Sequence, residues 1–247
     1  MGVSLLDPAV LATIDCAFCV DGARPIGTVI TRALGQTVFG FEIHGRAAHA
    51  AANPEAGVNA IRVAAEIVAQ LPLGRLPNGG SASVAAMVGG GVAGRMSGPD
   101  VRAALAATPT NSIPDLALVR GEVRAYSAAD ITDTVAEIER TVARVCAAHG
   151  AGYEWVGDRS RLVPPFPAAG PRAVERVRAA VAAVPGLTLI EEERQATLEA
   201  NYLAAATEVV AVASGGRDPH QLTESIPVAE LERLEALLRA IAGLEAA

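Results

Sequence analysis

The sequence predicts an α/β fold in which a β-α-β-β-α-β domain is inserted in a second α/β domain. Residues 36–44 alternate apolar and other side chains, as a half-buried strand does. Apolar side chains then recur at helical spacing before Leu71, and again over residues 130–148. Helical and apolar patterns also lie on both sides of this series. We therefore expect an inserted domain at 36–158, flanked by residues 1–35 and 159–247 of the other domain.

Each element of the inserted domain has a local signal. Asn53-Pro54 is typical of a helix start, and Gly150 is typical of a residue just beyond a helix end. The predicted helical stripes are Val58, Ile61, Ala65 and Val68 in the first helix, and Ile131, Val135, Ile138, Val142 and Cys146 in the second. Further strands are predicted at 81–88, 115–126 and 152–157, and a surface loop or short helix at 92–108.

The flanking segments carry fewer signals. The sequence predicts helices near 171–184 and 228–243, and a buried strand at 208–213. Cys16 and Cys19 fit one strand of a reduced core better than half of a zinc site, because no second Cys-x-x-Cys pair completes four ligands.

Composition excludes several function classes. A net charge of −7 disfavours a nucleic-acid partner, which would need a clustered basic surface. No apolar run approaches the ~20 residues that span a bilayer, so we expect no membrane partner. The first residues show no basic and apolar leader, which predicts a cytoplasmic protein.

One stretch, residues 41–61, joins an apolar strand, a small-residue turn containing His49, and Asn53-Pro54. It resembles the lid domain of the di-zinc exopeptidase family that includes peptidase T, carboxypeptidase G and the aminoacylases. Gln70-Leu-Pro-Leu-Gly-Arg75 favours the peptidase T-like branch. The resemblance implies a ferredoxin-like lid inserted in an incomplete α/β zinc-exopeptidase domain, and a homodimer formed through the lid.

The resemblance also implies a metal site. Cys19-Val-Asp21-Gly22 and Asp218-Pro-His220 are similar to two segments that bind zinc in the family, so Asp21 and His220 are the implied ligands of two Zn²⁺ ions. Carboxylate oxygen and neutral imidazole nitrogen both suit zinc. An isolated Asp-Gly, however, is most often a turn.

Four further residues match positions that act on the substrate in the family. His49 matches a histidine that stabilises the developing oxyanion in the partner protomer's active site. Asn111, Arg124 and Asn201 match substrate-binding positions, and the arginine would clamp a substrate carboxylate through two parallel donors. The alternative for Arg124 is an outward strand residue that pairs with neighbours of Glu122.

Other parts of the family's site have no counterpart in this sequence. These are an early His-x-Asp strand, a general-base glutamate and the glutamate ligand beside it, and the turn at 195–201 also lacks the family's glycines. We expect the missing groups upstream of Met1 in relatives. The predicted function is the C-terminal portion of a zinc-dependent aminopeptidase or amidohydrolase for small peptides or N-acyl amino acids, inactive without a complementing N-terminal chain. The alternative is a non-catalytic dimerisation or peptide-binding module.

Overall fold

The computed structural model describes residues 3–90, 101–156 and 162–243. The chain divides into two compact units. The discontinuous unit contains Met1–Gly35 and Val163–Ala247, and the inserted unit contains Gln36–Leu162. Of the predicted insertion at 92–108, residues 92–100 lie outside the described residues.

Strands and helices alternate through both units, which confirms the predicted α/β class. The strands are β1 (Cys16–Val20), β2 (Thr28–Ala33), β3 (Gly35–His44), β4 (Gly74–Arg75), β5 (Ser81–Gly89), β6 (Leu116–Ala125), β7 (Gly152–Trp155), β8 (Leu162–Val163), β9 (Ile190–Arg194) and β10 (Glu208–Val212). The α-helices are α1 (Pro8–Leu11), α2 (Ala60–Gln70), α3 (Val101–Ala106), α4 (Ala128–His149), α5 (Pro171–Ala183), α6 (Ala200–Leu203) and α7 (Val228–Ala242). None of the described helices is both long and apolar enough to cross a membrane.

The inserted unit is a sheet with the strand order β4-β5-β6-β3-β7, covered by α2 and α4. β5 pairs antiparallel with β6, and β3 pairs antiparallel with β7. The core is built around Phe41, which is fully buried and lies between Phe39 and Trp155 at ring-centroid distances of 6.4 and 5.5 Å. This alternation of buried side chains along β3 is the one that the sequence predicts.

The helix α2 begins later than the sequence predicts. The side chain of Asn53 caps no helix, and Pro54–Ala56 form only a 3₁₀ turn. Asn59 is the cap instead, because its Oδ1 accepts a hydrogen bond from the N–H of Arg62 at 3.1 Å.

The buried face of α2 also differs from the predicted stripe. Val58 precedes the helix and pairs in an extended bridge with Arg46. Ile61 and Ala65 are exposed. The residues that α2 buries are Ala60, Val63, Ala64 and Ile67. The predicted period was right, but the buried stripe is shifted by one residue, and of the predicted residues only Val58 and Val68 pack against the core, both partly buried.

The helix α4 agrees closely with its prediction. Ser127 caps its first turn by accepting a hydrogen bond from the N–H of Asp130 at 3.1 Å. Gly150 follows the last turn with φ of 63°, a left-handed conformation that glycine adopts without strain. The predicted stripe faces the core, with only Val135 partly exposed.

The discontinuous unit contains a sheet with the strand order β1-β10-β2-β9. β1 is parallel to β10, and β2 is parallel to β9, whereas β10 and β2 are antiparallel. Helices α5 and α7 pack together against this sheet, and α6 contacts β1 and β10. The sequence did not predict β2 or β9. The sequence of β9, Ile190-Glu-Glu-Glu-Arg194, has no apolar alternation.

Candidate active site

His49 lies in a short turn after β3, held by its own side chain. Its Nδ1 accepts hydrogen bonds from the N–H groups of Ala51 and Ala52, at 3.2 and 3.1 Å. A neutral imidazole has one donor and one acceptor nitrogen, so these bonds place the proton on Nε2. The exposed His49 ring therefore presents an N–H donor outward.

Asn111 lies beside this turn. The N–H of Ala50 donates to the carbonyl of Asn111 at 2.9 Å, and His49 pairs with Ser112 in an isolated bridge. Gly57 allows the close approach, because a Cβ there would lie 2.9 Å from the side chain of Ile113. The structure thus brings two of the predicted site residues, His49 and Asn111, into one surface region.

Arg124 lies at the other end of the same sheet. The N–H of Gly45 donates to Asp115 at one end of the β3 and β6 pair, whereas Gln36 bonds to Glu122 at the other. The two strands are therefore antiparallel. Eight residues separate Leu116 from Arg124 along β6, or roughly 26 Å at the usual strand rise. Within one chain, a small ligand at His49 does not reach Arg124.

The guanidinium of Arg124 already binds a carboxylate. Its Nε and Nη2 donate to the two oxygens of Glu122 at 2.8 and 3.3 Å, and Gln36 donates to the same carboxylate at 2.7 Å. Both charged side chains remain partly exposed. Glu122 is a contact that sequence reasoning missed, although its spacing of two residues along a strand places it on the same face as Arg124.

Asp21 follows β1 and lies beside a second carboxyl group. Its N–H donates to the carbonyl of Val212 at 2.9 Å. Burial, then the negative charge and hydrogen bond of Glu199, raise the pKa of Asp21 above its usual value. Burial and the same carboxylates raise the pKa of Cys19 to about 11. Sequence reasoning missed Glu199, whose only signal was an acidic residue in the altered turn at 195–201.

His220 lies in a loop with unusual backbone geometry. Its φ is 65°, and that of Asp218 is 51°, a left-handed conformation that costs non-glycine residues free energy and clusters at functional sites. The N–H of His220 donates to the carboxylate of Glu224 at 3.3 Å. The imidazole itself is exposed.

Asp21 and His220 do not make a zinc site by themselves. Zinc takes three or four protein ligands. Among the described residues, no group of three or more histidine, cysteine, aspartate or glutamate side chains is placed to hold a metal ion. The donors present in this part of the chain therefore do not fit zinc without further ligands.

Asn201 is fully buried, with its side-chain amide bonded to the backbone. Its Oδ1 accepts from the N–H of Leu198 at 2.7 Å, while its Nδ2 donates to the carbonyls of Leu34 and Pro164 at 2.9 and 2.8 Å. This geometry joins three backbone segments. It gives Asn201 a structural role and does not support the predicted contact with substrate, which stays untested.

Residues 34–150 match the family model of the peptidase dimerisation domain. These residues belong to the peptidase dimerisation domain family. The match covers residues 36–150 of the lid predicted at 36–158 and confirms the predicted resemblance.

Solved structures extend the likeness beyond this domain. The aminopeptidase PepT from Bacillus cereus is 25% identical and has a TM-score of 0.82, over 97% of this chain and 59% of its own. A tripeptidase from Staphylococcus aureus is 21% identical, with a TM-score of 0.78 over 98% of this chain and 58% of its own. A hydantoinase/carbamoylase-family amidase from Burkholderia vietnamiensis shares the fold at a TM-score of 0.64, 21% identity, and coverage of 93% and 54%.

Among curated proteins, the uncharacterized protein YqjE of Bacillus subtilis is 30% identical over 90 residues, which are 36% of this chain and 24% of YqjE. The chain thus spans a quarter of this relative and rather more than half of the solved structures it matches.

Proposed function

We propose that this chain is the C-terminal portion of a peptidase T-like, zinc-dependent aminopeptidase or amidohydrolase of the cytoplasm. Its substrates would be small peptides or N-acyl amino acids. The observation that carries the proposal is the likeness to an aminopeptidase over nearly the whole chain. Because the donors described here do not fit zinc alone, the remaining ligands and the general base would come from a complementing N-terminal chain.

His49 would stabilise the oxyanion that forms when a peptide carbonyl is attacked. The hydrogen bonds from Ala51 and Ala52 support this role, because they fix the ring with Nε2–H as the outward donor. A donor held in place before the reaction stabilises developing charge without reorganising. Asn111, in the same region, would bind the substrate beside it.

Arg124 would bind a substrate carboxylate in place of Glu122. The bidentate geometry of the present pair supports this, since a guanidinium offers the same two donors to any carboxylate. The length of β6 puts Arg124 and His49 too far apart to contact one small substrate in one chain. A complete site would therefore combine residues of two copies.

A homodimer would supply the second copy through β5. One side of β5 pairs with β6 throughout, whereas β4 covers only Ser81 and Ala82 on its other side within the described residues. Met87 on this strand is 45% exposed, and Ile61 on α2 is 38% exposed. An open strand edge beside exposed apolar side chains favours pairing with another strand.

The complementing chain would add a strand beside β1. In the described part of the discontinuous unit, β1 pairs only with β10, and Cys16-Ala-Phe-Cys-Val20 carries no charge or proline. The opposite edge strand, β9, is protected by charged residues that pair with Arg24, Arg32 and Arg178. The unprotected edge is the one suited to another strand.

The coding DNA for several hundred bases upstream of Met1 tests the proposal. We expect a His-x-Asp strand and a Glu-Glu pair, in frame or in an adjoining gene, and tripeptide hydrolysis with Zn²⁺ only when both parts are present. Hydrolysis by this chain alone would contradict the proposed division, and the absence of any such coding segment would contradict the enzyme.

A non-catalytic peptide-binding module is the second candidate, favoured because burial and Glu199 raise the pKa of Asp21 and no group of three potential metal ligands surrounds it among the described residues. Calorimetric titration with Ala-Ala-Ala tests it on the full chain. Binding without hydrolysis, lost in Arg124→Ala and strengthened in Glu122→Gln, would identify Arg124 as the carboxylate site. Equal binding by both variants would exclude Arg124 from peptide recognition.

A further inference from the structure

A cleft of about 360 Å³ in the discontinuous unit is lined by none of the predicted site residues, although Arg24 and Arg217 lie three residues from Asp21 and His220 in the sequence. It is lined by loops that follow β1 and β10, by the turn before β9, and by the start of α7. Because β1 and β10 are parallel, the loops after them emerge at the same end of the sheet, where α/β proteins commonly bind ligands. The volume is that of a small-molecule site.

Three arginines from separate segments line this cleft: Arg24, Arg217 and Arg233. Glu230 is the one carboxylate among the described lining residues. The chain as a whole has a net charge of −7, so a local excess of positive charge does not follow from its composition. Like charges brought together in a cleft repel one another unless an anion offsets them.

Two of these arginines keep unused donors after their internal pairs are counted. Arg24 donates through Nε to Glu192 at 3.2 Å and through Nη1 to the carbonyl of Ala23 at 3.5 Å, and Arg233 donates through Nη1 to Glu230 at 2.6 Å. A guanidinium has five N–H donors, so each of these pairs leaves several available.

Arg217 has no ion pair with any described residue, and its side chain forms no hydrogen bond among them. Its backbone is held by a bridge to Ser225, and the preceding loop is fixed because the N–H of Gly215 donates to the carbonyl of Arg24 at 3.1 Å. Gly215 has a φ of 76°, and a Cβ there would lie 2.9 Å from Glu230. The loop therefore fixes the backbone of Arg217, whose exposed side chain has no partner among the described residues, at the same cleft as the two other arginines.

We propose that this cleft binds a small dianion, carried by a phosphate ester or by a dicarboxylic acid. Three arginines lining one cleft supply guanidinium donors that match the several acceptor oxygens of such a group. The inference goes beyond the proposed hydrolase and does not depend on it.

Calorimetric titration of the full chain with inorganic phosphate and, separately, with succinate tests the proposal at constant ionic strength. We expect saturable one-to-one binding of at least one probe, and the preferred probe distinguishes a phosphate source from a carboxylate source. Arg217→Ala should weaken binding about tenfold and Arg217→Lys less, because an ammonium keeps the charge but not the fork. Glu230→Gln should strengthen binding a few-fold by removing the competing carboxylate.

Arg62→Ala is the matched control, since it removes an exposed arginine of α2 in the other unit. Binding by this variant should equal that of the unaltered chain. The proposal is wrong if neither probe binds saturably, or if Arg62→Ala weakens binding as much as Arg217→Ala does, which would indicate diffuse attraction of anions.

Discussion

The inserted unit and the discontinuous unit differ in how their predicted site residues are held. In the inserted unit, hydrogen bonds orient both the His49 ring and the Arg124 guanidinium. In the described part of the discontinuous unit, Asp21 lies beside the carboxyl group of Glu199, and β1 pairs only with β10. The predicted site residues of the inserted unit are held by its own hydrogen bonds, whereas the donors described in the discontinuous unit do not fit zinc without further ligands.

The largest expected effect is in the aromatic core of the inserted unit. Phe41→Ala should cost about 3–5 kcal/mol of unfolding free energy, because it leaves a cavity between Phe39 and Trp155. Phe166→Ala, at a fully buried position of the discontinuous unit, is the matched change. Hydrogen exchange should show each loss in the altered unit. If Phe41→Ala left the exchange of β3 and α4 unchanged, the account of this core would be wrong.

Asn201→Ala tests the stability of the discontinuous unit. It would leave the N–H of Leu198 and the carbonyls of Leu34 and Pro164 unpaired, at a cost of about 2–4 kcal/mol. Urea unfolding measures this cost. A variant as stable as the unaltered chain would instead favour the predicted role of Asn201 in substrate binding.

Glu208→Gln should destabilise the discontinuous unit in a pH-dependent way. The Arg172 side chain and the N–H groups that start α5 hold the pKa of Glu208 below its usual value. A lowered carboxyl pKa stabilises the fold above the unfolded value of 4.5, and this contribution is lost as the pH falls through the lower folded value. The variant should therefore melt lower at pH 7, with the difference shrinking toward pH 3. A difference independent of pH would point to packing.

The smallest effect is at the start of α2, where two asparagines compete as caps. Asn59→Ala should cost about 1 kcal/mol, since its side chain accepts the Arg62 N–H. Asn53→Ala is the control and should cost little, because Asn53 makes no cap hydrogen bond. Thermal unfolding of both variants checks the order, and the reverse order would restore the helix start that the sequence predicts.

Much of the fold could be predicted from local patterns, as α4 shows with its stripe, its cap and Gly150. The start of α2 could not, because Asn53-Pro54 and Asn59 both satisfy capping rules, and the bridge between Arg46 and Val58 decides between them. The sequence did not predict β9 because this edge strand shows no apolar alternation. Its charged side chains form ion pairs instead.

The candidate site likewise has features that local sequence predicts and contacts that it does not predict. The turn with His49 could be predicted because its residues are contiguous, and Glu122 lies only two positions from Arg124. The contact between Asp21 and Glu199 joins residues far apart in the sequence, so only the folded chain reveals it. Patterns along the chain identify chemical groups, whereas tertiary packing determines which of them are already paired.

The mass of the full chain in solution tests the central claim that residues 34–150 form a dimerisation domain. Light scattering should give about twice the chain mass of 25.1 kDa. Met87→Lys, on the open side of β5, should give the monomer mass, because a buried lysine would oppose pairing. Leu222→Lys, at an exposed position of the discontinuous unit, should leave the dimer intact. An unaltered chain that is monomeric at all concentrations, or a dimer insensitive to Met87→Lys, would contradict the account.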